Sequence, residues 1–304
     1  MKHPLPELFA RLLLTGAMLL PGIGCSRSDD ARDRKDAAGF RDPAELCVAL
    51  LPDESSAKII QDNQGLKSYL EQRLGKPVKL HVLTSYAAMI EAVRAKNIDL
   101  AYFGPLSYCM AREKCDIDCF AAKVKDGSTT YRSILIANRD AGIKDLAGVK
   151  GKKMAFGDVA STSSHLMPKY TLFRKAGLRE KQDYQQAFLG KHDVVAINVQ
   201  SGNVDAGGLN EFIFASLVER GKIDPTRIVV LGYSDAWPDY PWAYQNDLSP
   251  SLREQIRQAF LELTDPAVLK PLKADAFRAM ADKDYDPIRQ AARELGVHLG
   301  ELEK

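Results

Sequence analysis

The chain has 304 residues, 45% of them hydrophobic and 27% charged, with 42 Lys and Arg against 40 Asp and Glu for a formal net charge of +2. This length has room for two domains of roughly 150 residues each, and the composition is that of a soluble globular protein. The charge balance excludes a general nucleic-acid footprint, which needs clustered basicity, so any bound anion is held at a local site.

The chain opens "MKHPLPELFARLLLTGAMLLPGIGC", with Lys2 and Arg11 ahead of a short apolar run and small residues leading to Cys25. That layout predicts a secretory signal over 1–24, and the apolar run is too short to span a bilayer. "GIGC" resembles a bacterial lipoprotein box, which implies a lipid on Cys25; a plain signal cut nearby is the other reading. Both predict a protein working outside the cytoplasm, in the periplasm or cell envelope. Residues 26–45 are polar, charged and aperiodic, so 25–45 reads as a lipidated flexible tether.

Strand and helix signals then alternate. "ELCVALLP" is a short apolar run ending in Pro and predicts a buried strand. "AKIIQDNQGLKSYLEQRLG" has helical spacing and a Gly stop, "KPVKLHVLT" alternates as a strand does, and "SYAAMIEAVRAKN" predicts a helix with Ser85 as its cap. "IDLAYFGP" is a strand broken by Gly-Pro, and "LSYCMAREK" starts a helix on Pro105, where proline is tolerated. This order implies a parallel sheet flanked by helices. A second unit follows: the strand "TTYRSILIANRD", a short helix and strand in "GIKDLAGVKGKKMAFG", the helix "SSHLMPKYTLFRKAGL", then "QQAFLG", "HDVVAINVQSGN", the strand end "VDAGGLN", the helix "EFIFASLVERG" and the strand "RIVVLGYS". The tail, "SPSLREQIRQAFLEL" and "YDPIRQAARELG", is helical.

The segments "NQGLKSYLEQRLGKPV", "IDLAYFGPLSY", "YRSILIA", "GDVASTSSHLMP", "HDVVAINVQSGNVDAGGLN", "DYPWA" and "YDPIRQAA", in this order over about 46 to 300, resemble the phosphate/phosphite/phosphonate-binding family of periplasmic solute-binding proteins of ABC importers. The resemblance implies a two-lobed α/β periplasmic binding protein of the type II kind, with ligand in a cleft between lobes joined by two crossover strands. "TTYRSILIA" and "RIVVLGYS" are the natural crossovers, which puts 46–134 plus 235–304 in lobe 1 and 135–234 in lobe 2. It further implies a small oxyanion ligand (phosphite, phosphonate or phosphate), delivery to a membrane permease, no cofactor and no nucleic-acid partner.

"STSSH" sits at a predicted helix entrance, where backbone N–H groups lack partners and carry partial positive charge. An oxyanion placed there accepts those N–H bonds, and adjacent hydroxyls add short, rotatable donors. Any one of them read alone is equally an ordinary helix cap. The resemblance carries the family's phosphoryl cradle over to Ser161, Thr162, Ser163 and His165, while Ser164 stands where the family often has Gly. Asp158 reads as a cap of the turn. Tyr102 ends a strand, where open α/β sheets bind ligands; it matches an aromatic that closes over the anion in the family, or packs in the core. Asp53, with Glu54 and Ser55, follows the first strand at the same sheet edge. Asp205 matches a residue that meets a ligand amine or proton in phosphonate binders, or caps the next helix. His192 and Asp193 read as structural, and Trp237, Tyr240 and Trp242 as lining the mouth or packing near the hinge.

Besides Cys25, the cysteines are Cys47, Cys109, Cys115 and Cys119. Export permits disulfides, and four cysteines allow three pairings; their spacing gives no zinc or other metal motif. Cys109, just past "GPLSY", offers an alternative thiol site. A branch of the family resembles an arsenite sensor that signals to a histidine kinase, and a thiolate suits such a soft centre. The reading as an enzyme fails: there is no phosphate loop, zinc motif or GxSxG elbow, and no base is partnered to the serines of "STSSH".

Overall fold

The computed structural model describes residues 34–301; the expected signal and Cys25 lie outside the described residues. The apolar run read as the first strand is β1 (Leu46–Leu50), buried along its whole length. The helical stretch after it is two helices, α1 (Ser56–Asp62) and α2 (Gln64–Leu74), separated at Asn63. Then come β2 (Val78–Val82), α3 (Tyr86–Arg94), whose cap Ser85 accepts from the Ala88 N–H, β3 (Leu100–Tyr102) and α4 (Pro105–Arg112). A strand not read from the sequence, β4 (Ile117–Val124), closes this half.

The chain crosses into the second sheet through β5 (Thr130–Tyr131) and β6 (Ser133–Asn138). There it forms β7 (Lys153–Phe156), a π-helical turn over Thr162–Leu166 that runs into α5 (Met167–Ala176), β8 (Gln185–Phe188), α6 (His192–Gln200), β9 (Ala206–Asn210), α7 (Glu211–Glu219) and β10 (Ile228–Tyr233). It returns through β11 (Trp237–Pro238) to β12 (Pro241–Gln245), α8 (Pro250–Leu261), α9 (Pro266–Leu269), β13 (Ala276–Ala279) and α10 (Asp286–Glu294).

The first sheet has the order β13-β4-β12-β3-β1-β2 and the second β10-β6-β9-β7-β8. In the first, β1 runs parallel to β2 and β3; in the second, β7 runs parallel to β8 and β9. The expected crossovers are refined here. Most of "SILIA" and "RIVVLGY" pair antiparallel to each other inside the second sheet, and the crossing itself is the short ribbon β5·β11. The carboxyl ends of the parallel strands lead into α3, α4, the π turn and α6, so four helical entrances gather where the two sheets face each other.

The tether reading fails from Lys35 onward. Lys35 bridges Arg41, Arg41 bridges Leu248, and the Arg41 guanidinium pairs with buried Asp99 and, at 3.1 Å, with Asp247. Lys76 adds an ion pair to Asp42 at 3.0 Å. A charged stretch docks here because one buried carboxylate needs a cation.

Gly207 and Gly208 of β9 serve packing. A Cβ at Gly208 would lie 2.3 Å from Pro168 Cγ, and one at Gly207 would lie 2.7 Å from Val195 Cγ1, so glycine lets α5 and α6 close onto the strand. Ser164 donates its hydroxyl to the Gly208 carbonyl and fixes the π turn on the same strand. Gly208→Ala is therefore expected to lower stability by roughly 1–3 kcal/mol through overpacking, read as the midpoint of urea unfolding; an unchanged midpoint would contradict the close approach.

Candidate functional site

Ser161 ends in an extended conformation (φ −78°, ψ 134°) and caps the turn, its Oγ accepting from the Ser164 N–H at 3.1 Å. The turn closes on an i to i+5 bond, Leu166 N–H to Ser161 carbonyl at 3.1 Å, a distortion frequent at functional sites. Asp158 accepts from the Ala160 N–H at 2.9 Å and holds the approach, as expected of a cap. Ser161, Thr162 and Ser163 are all buried, and the Ser163 hydroxyl has no hydrogen-bond partner. Buried polar groups are normally paired, so an unpaired hydroxyl in such a turn marks a place built for a partner.

The facing walls are tyrosines. Tyr86, at the start of α3, and Tyr131, on the crossing strand β5, are both 1% exposed. The Tyr131 hydroxyl likewise makes no hydrogen bond of ordinary geometry, and the hydroxyls of Ser163 and Thr162 are its neighbours. Burial holds the Tyr86 phenol well above its usual range, with Ser161 as its neighbouring hydroxyl. Thr162 Oγ1 accepts the Leu106 N–H from the first turn of α4 at 2.7 Å, which leaves its own proton to donate. The second sheet's turn and the first sheet's helix thus share one hydroxyl.

His192, read as structural, is part of this cluster. Its Nδ1 accepts the Asn210 N–H at 3.0 Å, so Nε2 carries the proton and faces Ser161 Oγ at 3.4 Å. Burial lowers its pKa to about 3, so the ring is neutral and serves as a donor. Its own N–H crosses to the Asp53 carbonyl at 3.0 Å. Asn210 caps α7 with Oδ1 and reaches the Tyr240 hydroxyl with Nδ2 at 3.4 Å.

Three expected residues do not join the cluster. Successive residues of a helical turn point in directions about 100° apart, so the five residues from Ser161 to His165 cannot all face one cleft. Ser164 turns back to β9, as described. His165 turns between Phe156 and Phe188, at ring distances of 5.5 and 5.0 Å, with Nδ1 held 2.6 Å from the Val159 carbonyl. Burial lowers its pKa to about 3, so it carries no charge for an anion. Asp205 precedes β9, accepting the Lys153 N–H at 2.8 Å at the amino ends of β7 and β9. About 16 Å of strand separates it from the carboxyl end, where Asn210 stands.

Tyr102 and Asp53 lie beside the cradle, in a cavity of about 100 Å³ also walled by Lys123, Asn210, Tyr240 and Trp242. Tyr102 stacks on Trp242 at 4.9 Å. Asp239, missed in the sequence although "DYPWA" contains it, is fully buried: Oδ1 accepts the Tyr240 N–H at 2.7 Å and Oδ2 has no partner. Burial raises its pKa. Asp53 lines the cavity and is half-buried, and desolvation, with Glu54 next to it, raises its pKa to about 7 against the opposing pull of Lys123 and Lys273. At the rim, Arg220 of the second sheet's layer pairs with Glu54 at 3.1 Å, and Tyr170 donates to Glu294 at 2.9 Å.

Cys109 is elsewhere. It is fully buried where α4 packs on α10, its Sγ 3.9 Å from the Tyr285 carbonyl, and burial pushes its thiol up to about 12. The alternative thiol site is therefore corrected: this thiol is neither ionised nor in the cleft. Cys109, Cys115 and Cys119 are unbridged.

A family model described as the periplasmic substrate-binding protein of a phosphonate ABC transporter matches residues 48–285. The chain is 28% identical over 302 residues to the "Phosphate-import protein PhnD" of Mycolicibacterium smegmatis (strain ATCC 700084 / mc(2)155), covering 90% of this chain and 91% of that protein. It is 26% identical over 273 residues to the "Probable ABC transporter phosphite binding protein PhnD1" of Prochlorococcus marinus (strain MIT 9301), covering 84% and 91%. The solved structure of PhnD1 from Prochlorococcus marinus (MIT 9301) with methylphosphonate superposes with a TM-score of 0.77 at 23% identity, covering 84% of this chain and all of that one.

The Asp53 carboxyl has a testable consequence. Its folded value of about 7 lies above the ordinary 3.8, so the folded state holds a proton that the unfolded state releases. The stability this contributes is full below about pH 4 and is lost as pH rises through about 7. Melting temperatures followed between these limits are expected to fall less for Asp53→Asn than for the parent; parallel profiles would count against the desolvated carboxyl.

Proposed function

The chain belongs to the family of periplasmic phosphonate substrate-binding proteins of ABC transporters, with the two-lobed fold of its structural neighbours, and from that premise we propose that it captures phosphite, a small phosphonate or phosphate between its lobes and delivers it to the importer's permease. The observation that carries this reading is the convergence of unpaired buried hydroxyls, Tyr131 from the crossing strand and Ser163 from the π turn, beside Ser161, Thr162, Tyr86 and the His192 Nε2–H. A tetrahedral oxyanion offers acceptors in several directions and pairs such donors at once. Neutral donors and helix entrances supply most of the field. The carboxyls of Asp53 and Asp239 require a ligand that brings a proton of its own or leaves one of them protonated, since a fully ionised anion would be repelled. Hydrogen phosphonates and hydrogen phosphates meet that requirement.

The mechanism is closure. The ligand contacts Ser161, Thr162 and Ser163 on lobe 2 (135–234) and Tyr86 on lobe 1 (46–134 plus 235–304) only when the lobes meet, so binding shifts the population toward the closed state. The pairs Arg220–Glu54 and Tyr170–Glu294 join residues of the two lobes, and on this reading they belong to the closed state. The lipid anchor is assigned to Cys25, and Cys25→Ser is expected to move the protein from the membrane fraction to the soluble periplasm; retention in the membrane would remove the anchor.

A thermal-shift panel of phosphite, phosphate, methylphosphonate, sulfate and arsenite is expected to shift with phosphorus oxyanions alone. In calorimetry, Ser161→Ala or Ser163→Ala should weaken the bound ligand by about 1–3 kcal/mol, and Cys109→Ser should leave it unchanged. Unchanged affinity in both serine variants would dismiss the cradle, and an arsenite shift lost in Cys109→Ser would restore the thiol reading.

A further inference from the structure

Lys123 lies on β4, in the wall of the cavity beside the cradle, and is 8% exposed. Its Nζ is 3.9 Å from Asp239 Oδ1 and sits over the rings of Phe212 and Tyr240, at 5.6 and 5.7 Å from their centroids. Asp239 is fully buried and its Oδ2 has no partner. Asp53, which also lines the cavity, feels the same ammonium. Aromatic faces and a buried carboxylate make up the environment that recognises an alkylammonium group, and here the protein's own side chain fills it. A ligand's cation in this cavity would meet Lys123 at short range, with Lys273 also in the lining and Asp53 and Glu54 already facing these two lysines. The cavity of about 100 Å³ has room for a substituent of only a few heavy atoms.

We infer that Lys123 is a specificity-determining residue: its ammonium group occupies the place beside Asp239 that a ligand's own ammonium would need, so the cleft takes phosphorus oxyanions bearing a small neutral substituent or none and rejects aminoalkylphosphonates. This rests on the phosphorus-oxyanion reading above. Specificity here comes from a repulsive element as much as from an attractive one. The Lys123–Asp239 pair also keeps the buried carboxylate compensated when the cleft is empty.

The test is calorimetry on the exported protein with phosphite, methylphosphonate and 2-aminoethylphosphonate as titrants. The parent is expected to bind methylphosphonate at least tenfold more tightly than 2-aminoethylphosphonate. Lys123→Met should narrow or invert that ratio by tenfold or more, and Lys123→Arg should keep the parent's order. A parent that prefers 2-aminoethylphosphonate overturns the inference while leaving the oxyanion reading intact. So does a Lys123→Met variant that weakens all three titrants in proportion, which would make Lys123 a partner of the oxyanion itself. A parent that binds none of the three removes the oxyanion reading, and this inference with it. If Lys123→Met does not fold, Lys123→Gln takes its place, and the parent's ranking decides on its own.

Discussion

Where the chain passes between its two sheets, Tyr131 pairs with Trp237 and Thr130 with Pro238 in an antiparallel ribbon two residues long. Two such passages side by side leave the sheets one way to face: the carboxyl ends of β2 and β3 look toward those of β7 and β8. Every functional side chain described here depends on that opposition. Tyr131 lies within the ribbon itself, so the element that joins the lobes also supplies a donor to the cleft. Asp239 follows directly after the other passage, its N–H bonded to the Thr129 carbonyl at 2.8 Å. If the proposed site is the ligand's, its place on the hinge couples ligand contact to the relative position of the lobes.

The electrostatics of the cleft combine two demands. On the proposed reading an anion meets hydroxyls, a neutral imidazole and helix entrances, none of which carries a full charge. Two carboxyls, buried Asp239 and half-buried Asp53, stand close by, and desolvation raises the pKa of both. Fixed dipoles paired with protonatable acids make the cleft sensitive to the proton count of what enters it, which a cluster of arginines would not be. Lys123 adds a compensating charge at the edge of that arrangement rather than at its centre.

Local chemistry was legible where it repeats over short spans. The alternation of apolar runs and helical spacing announced an α/β chain, although the antiparallel strands that make both sheets mixed were not legible, and "STS" stands at a capped turn as expected. The hydroxyl run loses the cleft face at Ser164, and His165 turns away after it, because a helical turn rotates its side chains and spacing alone does not say at which residue the face is lost. Asp205 was misplaced for a related reason: "VDAGGLN" contains a strand, but the string of letters does not show whether the acid begins it or ends it. The register Met154↔Ala206 places it before the strand. The charged stretch around Arg41 looked like tether because its partner, Asp99, lies 58 residues away.

What the sequence determined by itself was whatever short-range physics controls: the order of most strands and helices, without β4, β12 and β13, the capped turn at Ser161, and the breaks at Gly104–Pro105 and Gly177. What only the tertiary structure decided was the company each side chain keeps. His192 and Asp193 are neighbours in sequence, yet His192 is buried beside Ser161 while Asp193 stays in the first turn of α6. Lys123, Tyr131, Asn210 and Asp239 come from four separate stretches, and no spacing rule connects them. Cys109 follows the ligand-facing turn by one helical turn and still points into the α10 contact. The reason is common to all of them: periodicity records which way a residue faces within its own element, and the partner on that side is set by how two sheets are folded against each other.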